Sequence, residues 1–222
     1  MVLRNLVFVG LALIISLPIG MPSQAEAVII GSQGTTASPG ADGGIESNSM
    51  GGPTIQIPPN PFWASAEPGS SWVSFTQSGN PASPGFVVVP NSTVVTFRES
   101  FVLAPAGGNY TGNLIVFADD STSVVVDGVQ RMAEATTVGN TYAICSDFGI
   151  GCRVETRGII PLSLAPGAHT FEFAVAQRNL SSFGLDYAAN LIAVPEPGTM
   201  LLLATGLIGL GTTRRRRVCR ND

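Results

Sequence analysis

The chain has 222 residues with eleven arginines, no lysine and fifteen acids, for a formal net charge of −4. Between Val28 and Val194 the balance is five arginines against twelve acids, a formal −7, and such a surface repels phosphate backbones and excludes nucleic acid as a partner. That region is one domain's worth of chain, long enough to bury a core unaided.

The N-terminus reads as an export signal. Arg4 precedes an apolar run from Leu6 to Leu17, Pro18 and Gly20 break it, and Ala25-Glu26-Ala27 supplies the small-x-small pattern that signal peptidase cuts. Residues 1–27 are therefore expected to be a signal peptide handled by the Sec machinery, with a new terminus at Val28. Residues 28–71 are dense in Gly, Ser and Pro, as in the stretch Gly31 to Gly40, and such composition does not offset the entropy of ordering. They are expected to form a flexible leader or a loosely draped segment, with Thr54 to Pro58 as a candidate short strand inside it. Phe62 and Trp63 in it either pack on the domain or offer an aromatic platform to a sugar.

From Trp72 the pattern turns to period two, and residues 72–194 are expected to form the folded domain. Val95, Phe97, Phe101 and Leu103 share one face of a half-buried strand. Glu99 falls on that same face, which calls for a bulge or for a buried carboxylate partnered by Arg98 or another arginine. Gly112 to Ala118 and Ser123 to Val126 read as central strands, and Asp127-Gly128 supplies the positive φ values of a tight hairpin. Ile159 to Leu164 leads through Ala165-Pro166-Gly167-Ala168 into His169 to Ala176, and a last strand runs from Leu185 to Ala193. No stretch of this region has helical periodicity. About eight to ten strands with regular turn signals predict an all-β, jelly-roll-like β-sandwich.

Cys145 and Cys152 enclose six residues, among them Gly149 and Gly151, which let a short ring close. In an oxidising compartment they are expected to pair, stabilising the loop by roughly 2–3 kcal/mol. Two thiols without a neighbouring histidine make an incomplete metal site. No catalytic constellation emerges. His169 is the only histidine and sits at a strand start, in phase with Phe171. Asp119 and Asp120 are adjacent in a turn, where they either bond local backbone or hold a structural calcium ion through oxygen ligands. No other cofactor is expected. A sugar site needs an aromatic face and a few placed polar groups. Of Trp63, Trp72, Tyr110, Tyr142 and Tyr187, the candidates are Trp63 and Tyr110, the latter placed in a loop between Gly108 and Gly112.

The chain closes on Pro195-Glu196-Pro197, the apolar run Gly198 to Gly211 and Arg214-Arg215-Arg216-Arg217, leaving residues 218–222 as a tail. The prolines make the tripeptide a poor helix and an extended substrate. The run should be helical in lipid, because only a helix satisfies its backbone there. At about 1.5 Å per residue it reaches roughly 21 Å against a hydrocarbon core of about 30 Å, which is short for a permanent span. The four arginines resist translocation and leave everything before Pro195 outside. An ordinary single-pass anchor is the competing reading.

In order and adjacency, residues 195–217 resemble the PEP-CTERM sorting signal of Gram-negative bacteria. The resemblance implies an exported protein, held briefly in the inner membrane and cut near the tripeptide by an exosortase. It also implies a final place on the cell surface or in the extracellular matrix, in association with exopolysaccharide and biofilm. Val116 to Asp120, Val124 to Val129 and Leu164 to Phe173 further resemble the galactose-binding-like carbohydrate modules, which keeps a carbohydrate-binding role open. A secreted hydrolase using His169 or Asp120 is the third reading.

Overall fold

Among the described residues there are eleven strands, and non-local pairing rather than composition decides where several of them lie. The computed structural model describes residues 27–35, 42–105, 108–134, 145, 149–178, 180–194 and 206. The strands are β1 (Ala27–Gly31), β2 (Ile45–Asn48), β3 (Ile55–Gln56), β4 (Val73–Ser74), β5 (Val94–Leu103) and β6 (Tyr110–Asp119). They continue as β7 (Ser121–Val126), β8 (Val129–Met132), β9 (Gly158–Leu164), β10 (Gly167–Ala176) and β11 (Gly184–Ala193). All pairings are antiparallel, in two sheets: β3-β4-β11-β6-β9 with β1 also on β11, and β2-β5-β10-β7-β8. The fold is the expected all-β sandwich. Among the described residues no helix is long and apolar enough to cross a membrane. The signal peptide before Ala27, the Pro-Glu-Pro tripeptide and the Arg214 to Arg217 cluster lie outside the described residues.

Local chemistry accounts for the individual strands. Along β5, Val95, Phe97, Glu99, Phe101 and Leu103 are buried and the residues between them face outward, so the alternation runs without a bulge. At the β7–β8 hairpin, Asp127 and Gly128 both adopt positive φ, 51° and 74°, as a tight primed turn requires. Pro161 lies in β9, at the edge of its sheet, where a missing N–H costs no ladder bond. Within one sheet Phe101 meets Phe171 at 4.7 Å between ring centroids, and across the two sheets Phe173 stacks on Tyr187 at 4.4 Å.

The described residues of the stretch expected as a flexible leader, 28–35 and 42–71, are laid against the sandwich. β1 pairs with β11 from Ala27 opposite Ile192 to Gly31 opposite Ala188, and β2 pairs with β5 in the other sheet. Farther on, Ile57, Trp63 and Trp72 form a second core with Phe117, Cys145 and Cys152 on the outer face of the first sheet. Asp186 of β11 fastens that layer by accepting from Ser32 Oγ, Ser70 Oγ and the Glu67 N–H. Partners supplied from elsewhere in the chain offset the ordering entropy that the Gly/Ser/Pro composition alone does not.

The connections give the sandwich two distinct ends. Leu103 passes to Tyr110, Leu164 passes to Gly167, β1 begins and β11 finishes at one end, because Ala27 pairs with Ile192 and Ala193 with Tyr110. Asp119, Ser121, Ala176 and Gly184 lie at the other. Ten residues of β11 separate the ends by roughly 30 Å.

Candidate functional site

The far end gathers aromatic rings, two carboxyls and a disulfide. Trp63 lies 4.2 Å from Trp72 between centroids, and Trp72 lies 6.2 Å from Phe117. The Trp63 Nε1–H donates to Asp119 Oδ2 at 2.7 Å and the Trp72 Nε1–H donates to the Ala64 carbonyl at 3.0 Å. Cys145 and Cys152 form the expected disulfide, Cα atoms 5.5 Å apart, directly against this cluster.

Asp119 and Asp120 do not diverge into solvent. Both are buried, and Asp120 Oδ2 accepts from the Arg178 backbone N–H at 2.6 Å, a long-range bond in place of turn chemistry. Arg178 in turn pairs with Glu134, which also accepts from Ser121 Oγ. Burial first, and the facing Asp120 carboxyl second, raise the Asp119 carboxyl well above its ordinary range. Asp119 Oδ1 and Asp120 Oδ1 are both buried without another hydrogen-bond partner, on carboxyls that face each other. The nearby Cys145 and Cys152 sulfurs are bonded to each other and offer no thiolate to a metal. The two aspartates are the oxygen ligands at hand for a hard cation.

Both aromatic candidates are corrected by their burial. Tyr110 is not in an exposed loop: it opens β6, points into the core in phase with Leu114 and Val116, and donates its hydroxyl to the Ala104 carbonyl at 3.1 Å. Trp63 is 8 % exposed and its ring is covered by Trp72. Its neighbour Phe62 is the ring that faces solvent, 70 % exposed, on a stretch held to the disulfide loop by Ala64 N–H donating to the Cys152 carbonyl at 2.8 Å. A run of two aromatics signalled this spot; which of them turns outward depends on the Trp72 contact. His169 has both ring nitrogens engaged, Nδ1 with Asp127 Oδ2 at 2.8 Å and Nε2 with the Ala165 carbonyl at 2.7 Å.

A second acidic cluster lies inside the sandwich. Glu46 and Glu99 are directly opposed in β2 and β5, and Tyr187 of the facing sheet places its hydroxyl 2.9 Å from Glu46 Oε1 and 2.9 Å from Glu99 Oε2. One phenolic hydrogen cannot serve two carboxylates, so one carboxyl of the three-member chain carries a proton. Glu46 accepts the Gln33 and Gly34 N–H groups, which favour its ionised form and work against the burial that raises it. Burial pushes Glu99 up to about 8, and its Oε1 has no partner. The arginine expected beside Glu99 is therefore a tyrosine. Gly44 makes the fit, since a Cβ there would stand 1.7 Å from Glu99 Oε1.

Comparison with known proteins adds the tail to this picture. Residues 193–217 match the PEP-CTERM protein-sorting motif, and they begin on the last residue of β11. The chain is thus an exported protein carrying a signal that an exosortase processes. No curated protein matches it. Among solved structures, it is similar to a family 35 carbohydrate binding module from Clostridium thermocellum in its native structure, at 14 % identity over 72 % of this chain and 96 % of that one, TM-score 0.34. It is also similar to an exo-beta-1,3-galactanase from Phanerochaete chrysosporium, at 14 % identity over 73 % of this chain and 29 % of that one, TM-score 0.30. At these scores neither likeness carries a functional argument.

Proposed function

We propose that the chain is a non-catalytic protein of the cell surface or extracellular matrix, delivered by its tail and released when an exosortase cuts near Pro195-Glu196-Pro197. The association with exopolysaccharide and biofilm belongs to this reading. The observation that carries it is the sorting motif joined without a linker to the last strand of a sandwich. The described chain also gives His169 two hydrogen-bond acceptors and no substrate-facing nitrogen, which speaks against the hydrolase reading. The mature chain is expected to run from Val28 to near Val194. Intact mass measurement of surface material checks this, and a chain still ending in Arg214 to Asp222 rejects processing.

Carbohydrate binding is the second reading, supported by Phe62 standing in solvent next to Trp63, which bonds Asp119, rather than by Tyr110 or Trp63 itself. A calcium ion at Asp119 and Asp120 belongs to it, supported by the buried Asp119 Oδ1 and Asp120 Oδ1 on facing carboxyls. Retention of the secreted protein on the polysaccharide of its own matrix should fall at least about fivefold in Phe62→Ala, a loss of roughly 1 kcal/mol. Chelation should lower Tm. Unchanged retention removes the sugar site, and a Tm indifferent to chelator and to added calcium removes the ion.

A further inference from the structure

The sandwich end from which the tail departs differs in chemistry from the far end. Val102 there is 74 % exposed, and Ile192, Val194 and Ile45 are each about half exposed. The connections beside them, Ala104-Pro105 and Ala165-Pro166, are exposed and uncharged. His169 is hydrogen-bonded to Asp127 in the groove that Ile45, Val102 and Ala168 line. No lysine exists in the chain to draw the end toward an anionic surface.

The covalent reach of the tail decides what meets this end. Ala193 is held by Tyr110 of β6, and the Val194 N–H donates to the Asn109 carbonyl at 2.8 Å, so the chain is fixed to the sheet up to Val194. Five residue steps separate Ala193 from Gly198, where the apolar run begins, a span of roughly 17 Å at full extension. The polar layer of one leaflet is itself roughly 5–8 Å thick. Even at full extension the tether lifts the sandwich only about 9–12 Å above that layer, well under its own length, so this end is held next to the lipid surface. β1 starts beside Ile192, so the export signal also leaves from this end.

We propose that this end is a membrane-resting surface. While the tail is inserted, Val102, the Ala104-Pro105 and Ala165-Pro166 turns and Ile192 lie in the lipid headgroup layer, and the Phe62 end points outward by the length of the sandwich. The contact is apolar and shallow, and lacks the basic residues that would outlast the tether. It rests on the reading of residues 198–217 as an inserted tail.

The test uses the full chain in phosphatidylcholine vesicles, with Cys219→Ser and a fluorophore on Val102→Cys, Ala104→Cys or Phe62→Cys. Lipids carrying a quencher just below the headgroup should quench positions 102 and 104 roughly threefold more than position 62. A flexible insert of ten residues between Val194 and Pro195, adding an average reach of roughly 17 Å, should bring them down to the level of position 62. Chains that float with the vesicles yet quench equally at both ends overturn the resting surface and leave the tail reading intact. Chains that do not float overturn both. Shielding of position 102 only in membranes containing the exosortase assigns the surface to a protein and overturns the lipid contact.

Discussion

Tyr187 holds together residues that composition alone would set against each other. Glu46 and Glu99 are like charges directly across two strands, an arrangement that destabilises unless one is neutral. The proton on Glu99 resolves it, and this makes stability depend on pH with a definite sign. Its folded pKa of about 8 lies above the ordinary carboxylate value, so the folded state holds the proton that the unfolded state gives up. The stabilisation is complete below about pH 4.5 and is lost as pH rises through 8. Burial raises Glu46, Asp119 and Asp186 too, in the same direction. The protein should therefore lose stability between pH 5 and 8, by up to about 1.4 kcal/mol per pH unit for each proton involved. Glu99→Gln should flatten the curve by about one proton, and Asp42, Glu46 and Tyr187 are the ionisable groups whose facing charge sets the remainder. Chemical denaturation at several pH values checks this; a wild-type curve that rises toward pH 8 contradicts it. The sequence exposes Glu99 as an anomaly because a charge interrupts a strict period of two. It cannot supply the partner, because Tyr187 lies 88 residues away on the other sheet.

Strands whose apolar content alternates are legible in the sequence itself. β5, β10 and the Asp127-Gly128 hairpin are local patterns, and they lie in the fold where those patterns put them. β1 and β2 are not legible in this way, because Gly31, Ser32 and the glycines before Ile45 suppress the local signal while pairing with β11 and β5 overrides it. Tyr110 reads as a loop residue for a related reason: flanking glycines suggest a loop, yet Gly112 is there because a Cβ would stand 1.8 Å from the Asn190 carbonyl oxygen of the neighbouring strand. The standing of β1 can be measured with two adjacent isoleucines. Ile30 is buried in the main core and Ile29 faces outward. Ile30→Ala should cost about 2–4 kcal/mol, and Ile29→Ala should cost well under about 1 kcal/mol. Thermal unfolding of the exported chain separates them. If both substitutions are silent, β1 is dispensable to the fold and the N-terminal stretch acts as a leader after all.

At the scale of the whole molecule, uncompensated negative charge connects stability with the life of the protein after its tail is cut. Twelve acids face five arginines between Val28 and Val194, and the acids remain in excess at pH 7 even though Glu99 keeps its proton there. The arginine ion pairs among the described residues are Arg98–Glu172 and Arg178–Glu134, each partly open to solvent. Exposed pairs of this kind contribute little. Repulsion summed over the surface is the larger effect at low salt, where the Debye length of about 30 Å at 0.01 M matches the length of the sandwich. At 0.15 M it shrinks to about 8 Å and the two ends no longer sense each other. Raising sodium chloride from about 0.01 to 0.15 M at pH 7 should therefore raise Tm, and tetramethylammonium chloride should do the same, since screening needs no specific cation. A Tm that falls with both salts would mean that the few ion pairs outweigh the repulsion. The same field acts between the released sandwich and an anionic membrane: once the tether is cut, the excess of acids favours departure.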